Sequence, residues 1–175
     1  MLDEFGNYDP PFEFLWELAQ KEQTPDSVWS ACDPYKAPLT TVDPSPSEKL
    51  SIPLTKDVSL YLSKNPKSDL IVRGQIILCL RRNHAVREQY DQKMMEYCGK
   101  GIEAWGYPTF AGTDRDSYEY GYAIWPTVTG YLAIAQTRLD GHVGDDLSIF
   151  LGYVEKPLPK RVSTFSDWYL EVSEY

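Results

Sequence analysis

Two groups of residues have the types to do chemistry. The run Asp140-Gly141-His142-Val143-Gly144-Asp145-Asp146 sets three carboxylates and an imidazole side by side. Such a set can hold a divalent cation or move a proton. Its spacing departs from that of the calcium-binding loop, and no second cluster of ligands accompanies it. The same residues make a hairpin turn, which is the reading adopted, with no metal expected. The second group pairs a thiol, Cys79 or Cys98, with His84 or His142. Cys79 lies inside an apolar run, and neither thiol sits in a recognised catalytic-cysteine context. With only two histidines and no glycine-rich phosphate loop, most catalytic and nucleotide-binding plans lack their parts. The chain reads as a protein that binds rather than catalyses, with no cofactor.

A third group has the chemistry of contact. Trp105, Tyr107, Phe110, Tyr118, Tyr120, Tyr122 and Trp125 crowd into a short stretch, with Asp114, Arg115, Asp116 and Glu119 among them. Tyrosine and tryptophan offer large contact area at low entropic cost and concentrate at the centres of interfaces. The expected partner-binding residues are Trp105, Tyr107, Phe110, Asp114, Asp116, Tyr118, Glu119 and Tyr120. The competing reading packs the face of Tyr118, Tyr120 and Tyr122 against a helix as core.

The elements that must position these groups follow from periodicity. Asp69 to Leu80 is an apolar, β-branched run of strand length, interrupted by Arg73-Gly74-Gln75. Asn83 suits an N-cap for a helix running to Cys98, with Val86, Tyr90, Met94 and Tyr97 on one face and Gly99 ending it. Arg87 and Asp91 would pair on its outer face. Tyr118 to Ile124, Tyr131 to Leu139 and Leu147 to Val154 alternate with period two, which reads as an antiparallel three-strand meander. Thr164-Phe165-Ser166-Asp167 has capping-box character and opens a terminal helix around Trp168 and Leu170. Near the N-terminus, Phe12 to Gln20 is a short helix with Phe12, Leu15, Trp16 and Ala19 on one face. Leu54 to Leu62 is a strand or a helical turn, which periodicity does not decide. The prolines at 25, 34, 38, 44, 46 and 53 exclude a long helix or a central strand over residues 24–53. The expected fold is therefore α+β. An antiparallel sheet, a meander in its C-terminal half, packs against one main amphipathic helix, with a proline-rich N-terminal wrap. One domain spans residues 1–175, with segments 1–11 and 24–53 extended or loop-rich.

Composition narrows the partner. The chain has 175 residues and a net charge of −9. Residues 1–60 carry 4 basic and 11 acidic side chains (−7), residues 61–110 carry 8 and 5 (+3), and residues 111–175 carry 5 and 10 (−5). Acidic flanks argue against nucleic acid, whose phosphates need a basic footprint, and favour a basic protein partner by steering. No apolar stretch approaches the ~20 residues needed to span a bilayer, so membrane is not expected. The acidic start Met1-Leu2-Asp3-Glu4-Phe5 is neither a secretory signal nor a transit peptide. The three cysteines show no paired spacing, which suggests reduced thiols in a cytoplasmic setting.

Two resemblances sharpen the reading. The Asp140-Gly141 turn, a following strand, and Val162-Ser163-Thr164-Phe165-Ser166-Asp167-Trp168 near the C-terminus resemble the SUKH-like (SMI1/KNR4-type) immunity proteins. The resemblance implies a cytosolic inhibitor that binds a toxin domain directly. The proline-bearing N-terminal arm, the strand Leu70-Ile71-Val72-Arg73-Gly74-Gln75-Ile76-Ile77 and the helix end Tyr97-Cys98-Gly99 resemble rhabdovirus matrix proteins. That resemblance implies a structural protein that self-associates and contacts membrane or nucleocapsid. A net charge of −9 opposes contact with anionic membrane, which ranks it second. The expectation is a non-enzymatic, inhibitor-type protein that binds a basic partner.

Overall fold

A computed structural model of the chain describes residues 2–4, 8–38, 44–81, 87–114, 120–138, 145–154, 157–161 and 165–173. In chain order these form β1 (Leu2–Glu4), α1 (Phe12–Leu18), α2 (Pro25–Ala31), a 3-10 turn (Glu48–Leu50), β2 (Ser51–Pro53), β3 (Ser59–Lys64), β4 (Ile71–Arg81), α3 (Arg87–Trp105), β5 (Phe110–Asp114), β6 (Tyr120–Pro126), β7 (Gly130–Arg138), β8 (Asp145–Tyr153) and α4 (Phe165–Ser173). The architecture is α+β. The sheet runs β2-β3-β4-β8-β7-β6-β5, every pairing antiparallel, with β1 also pairing to β4.

β4 is the axis. Its β-branched residues favour an extended backbone, and its 11 residues are long enough to take three partners. On one edge β3 covers Ile71–Ile76 and β1 covers Cys79–Arg81; the other edge takes β8. Arg73-Gly74-Gln75 does not break it. The expected meander is present as β6-β7-β8, and β8 joins it to β4. Every residue of β8 is buried, because helices cover both faces of the sheet. On one face α1, α2 and α3 pack with Ile76, Trp125, Leu132, Ile134, Leu147 and Ile149. On the other, Phe165 and Trp168 of α4 pack with Tyr122, Ile124, Tyr131, Ala133 and Phe150. Each such large side chain contributes roughly 1.5–3 kcal/mol by leaving water.

This second core corrects the expected place of the tyrosine face. Tyr122 and Ile124 face α4, with the Tyr122 and Phe165 rings stacked at 6.3 Å. Their neighbours Ala123 and Trp125 face the α3 side. Alternation fixes that the two sets oppose each other, but not which helix each one meets. Tyr118 lies outside the described residues.

α3 packs Tyr90, Met94 and Tyr97 into the core as expected, and Arg87 Nε donates to Asp91 at 2.9 Å. Asn83, His84 and Val86 lie outside the described residues. The expected end at Gly99 is wrong. The helix passes through Gly99 and Gly101 to Trp105, and Gly106, at φ +78, reverses the chain while its N–H donates to the Ile102 carbonyl at 2.9 Å. Two interior glycines cost about 1 kcal/mol each in helix propensity. Burying the Trp105 ring outweighs that. A Cβ at Gly99 would meet nothing within 4 Å. Gly99→Ala should therefore raise stability by about 0.5–1 kcal/mol, seen as a rise of a few degrees in Tm. A fall would put the helix end back at Gly99.

Within the described part of 24–53 there is one short α-helix, compatible with the exclusion of a long one. Pro25 stands at the first helical position, where its missing N–H costs nothing, and Thr24 and Ser27 close a reciprocal capping box. The resulting α2 buries Val28, with Cys32 buried just beyond its end. Leu54 to Leu62 resolves as the approach to β3 and most of that strand. Phe12, Leu15 and Ala19 are buried in and beside α1 with Trp16 half-buried, and Leu18 joins them. The three cysteines form no disulfide, and Cys32 and Cys79 are buried. Among the described residues, no helix is long and apolar enough to cross a membrane.

Candidate binding groove

α3 lies over β6 and β7 and leaves β5 beside it uncovered. Between them runs a groove of about 430 Å³. Its wall is one stripe of α3: Arg87, Asp91, Met94, Met95, Cys98 and Ile102. Its floor comes from two paired strands, through Ala111 opposite Ala123 and Thr113 opposite Gly121. All four floor residues are small. Larger side chains in that register would fill the space under the helix, so the groove is a product of these residue types. Trp125 and Pro108 line it as well.

The polar end is internally satisfied. Gln136 is 2% exposed. Its Nε2 donates to Asp91 Oδ1 at 2.9 Å, and its Oε1 accepts from the Gly121 N–H at 2.8 Å. Asp91 also takes Arg87 Nε at 2.9 Å. The network ties α3 to the start of β6 and leaves the middle of the groove apolar. There, Cys98 Sγ and Met94 Sδ lie 3.9 Å apart. Burial pushes the Cys98 thiol up to about 12, so it stays protonated at neutral pH. That is the wrong direction for a nucleophile.

The residues expected to bind a partner divide. Trp105 is 8% exposed, and its indole Nε1 donates to the Phe12 carbonyl at 2.6 Å. It is core, held edge-on to Trp125 at 5.1 Å, and cannot serve as a surface anchor. Tyr107, two residues on and beyond the helix end, is 86% exposed. Phe110 is half-buried against the α4-side core. Asp114 ends β5 and pairs in register with Tyr120, the first residue of β6. Asp116, Tyr118 and Glu119 lie outside the described residues.

Sequence reasoning missed Met95, which is 73% exposed, together with Ile102 and the four floor residues, and weighed Cys98 only as a nucleophile. One signal was there. A core stripe drawn through Tyr90, Met94 and Tyr97 leaves Met95 off its edge, toward the outer side of the helix.

Of the acidic run that begins at Asp140, only Asp145 and Asp146 are among the described residues. Those two open β8 and are 5% and 0% exposed. Asp140, Gly141, His142, Val143 and Gly144 lie outside the described residues. The Asp146 carboxylate accepts from Gln75 Nε2 and Ser148 Oγ, each at 2.9 Å, and from the Thr137 hydroxyl. Among the described residues, no group of three or more His, Cys, Asp or Glu is arranged to hold a metal. Burial pushes the Asp146 carboxyl above the usual range, against the opposing pull of its hydrogen bonds from Thr137 and Ser148. A raised folded value means that the native state holds this proton more tightly than the unfolded chain. Stability is therefore lost on this account as pH rises from the ordinary carboxylate value through the raised one. Asp146→Asn should gain on the native chain over that window, measured by urea unfolding across a pH series. A difference that does not change with pH would refute it.

Compared with family models, curated proteins and solved structures, the chain matches none.

Proposed function

We propose that this chain is a non-enzymatic protein-binding protein of the inhibitor or immunity type, and that it holds a basic partner along the groove between α3 and β5. One observation carries the reading. Met95 and Tyr107, 73% and 86% exposed, are the large apolar side chains left to solvent on α3 and on the segment that leads to β5. Isolated exposed apolar residues are ordinary, but here Met95 lines an apolar concavity and Tyr107 is next in the chain to Pro108, which also lines it. Flexible methionine and rigid tyrosine are the types that supply binding energy at interface centres.

Charge supports the kind of partner. Glu88 and Glu103 are exposed on α3 beside the groove-lining residues Arg87 and Ile102. The sequence between β5 and β6 adds Asp116 and Glu119 against Arg115, within a chain of net charge −9. A basic protein would be steered to such a rim, and polyanions turned away.

The two contributions separate in kinetics, measured by surface plasmon resonance against the partner retained from the native source at low salt. Tyr107→Ala should speed dissociation and weaken binding by about 2 kcal/mol, roughly thirtyfold in Kd, with Tm unchanged. Neutralising Asp114, Asp116 and Glu119 should instead slow association and flatten its salt dependence. Unaltered binding by both variants would remove the face from consideration.

A further inference from the structure

We infer that the partner enters as an extended segment that adds to β5 as a further strand, with alternate side chains seated in the groove; the inference rests on the protein-binding reading and specifies its mode. β5 ends the sheet, and among the described residues it pairs only with β6. An edge strand turns the N–H and C=O groups of every other residue outward, and these form a template for another chain. Ala111, Gly112 and Thr113 along that edge are exposed, so among the described residues no side chain bars the approach.

The groove lies on the α3 face of the same edge. A strand laid beside β5 would continue the floor of Ala111 and Thr113, and its side chains on that face would point between floor and helix. Five residues opposite Phe110–Asp114 place two or three side chains there by the period of a strand. The groove's 430 Å³ sits in the lower part of the range for ligand pockets, about 300–1,000 Å³, and suits that number of medium-sized apolar side chains. Met94 and Met95 give the wall an adaptable surface, while backbone hydrogen bonds set register.

Charge chooses between a foreign segment and a second copy. Glu88 stands two helical turns before Met95 and so on the same stripe, and Glu103 is exposed beyond Ile102, while the wall's own two charges, Arg87 and Asp91, pair with each other. A second chain of net charge −9 meets this rim with repulsion; a segment whose outward residues are lysine or arginine meets it with attraction. The occupant is therefore a basic, alternately apolar, extended stretch of another protein.

The test uses the full chain against a random nonapeptide library. Selected sequences should alternate apolar and polar residues and be enriched in Lys and Arg over Asp and Glu. The best peptide should slow hydrogen exchange at alternate amides of Phe110–Asp114. N-methylating its amides along one edge should weaken binding at least tenfold, while methylating those along the other edge should not. Ala111→Leu, at an exposed position on the floor, should weaken the peptide tenfold or more at unchanged Tm. Selection of helical-period or acidic peptides, no selection at all, equal binding of both methylated forms, or a dimer of the free chain that protects β5 would each overturn the inference. Loss of binding by Tyr107→Ala to the natural partner, alongside any of these, would sink strand addition and leave the protein-binding reading intact.

Discussion

Gly130→Ala should yield little or no folded protein. Gly130 begins β7 immediately after a tight turn, in which the Thr127 N–H donates to the Gly130 carbonyl at 2.9 Å and the Gly130 N–H to Thr127 Oγ1 at 3.0 Å. A Cβ added there would stand 1.8 Å from the carbonyl oxygen of Gly152 and 2.9 Å from the Cα of Tyr153. These are backbone atoms of the paired strand, so no rotamer change relieves the clash. β7 must separate from β8, or the turn must rebuild, at the middle of a sheet buried on both faces. A cost above about 4 kcal/mol is expected, a large share of the roughly 5–15 kcal/mol that holds a typical domain. Far-ultraviolet circular dichroism and the soluble yield would measure it. A variant that melts within a few degrees of the native chain would mean that β7 and β8 are paired in another register.

Trp105→Ala should cost about 3–5 kcal/mol. The indole rests against Phe12 at 5.0 Å and Trp125 at 5.1 Å, and its removal also loses the hydrogen bond that Nε1 donates to the Phe12 carbonyl. Denaturant unfolding would show the loss, with Tyr107→Ala unchanged beside it as the control. If Trp105→Ala kept full stability and lost only partner binding, the indole would belong to the surface after all.

That pair of neighbours shows where sequence reasoning reached its limit. Trp105 and Tyr107 are two residues apart and chemically alike, yet one is 8% exposed and the other 86%. The deciding fact is the end of α3. With the helix stopped at Gly99, both fall in a loop and look equivalent. Continued to Trp105, the spacing Met94, Gly101, Trp105 sets the tryptophan on the buried stripe, and Tyr107 past the reversal at Gly106. Local propensity argues for stopping at the glycine, and tertiary burial overrules it.

β4, the meander and the inner face of α3 were legible because burial writes its period directly into residue type. The two-sided burial of β8 was not, since nothing local says on which face of the sheet α4, the next element, folds back. α2 carried a readable start in Thr24-Pro25 and Ser27, hidden under a correct judgement about proline density. The groove lay furthest from reach. It is a gap made by small residues on two strands in register, and neither register nor helix placement is a local property.

β8 also constrains the order in which the molecule can be made. It lies between β4 and β7, and Gln75 pairs with Phe150 across half the chain. Until β8 arrives, β4 and β7 each present a bare hydrogen-bonding edge backed by apolar side chains, the condition under which nascent chains stick to one another. Contacts of such long sequence separation also slow the search for the native state. The strand on which both cores close thus leaves the ribosome after both of the strands it joins. A cell making this protein in quantity would have to shield the unfinished sheet, through chaperones or early engagement of a partner, for as long as β8 is still to come.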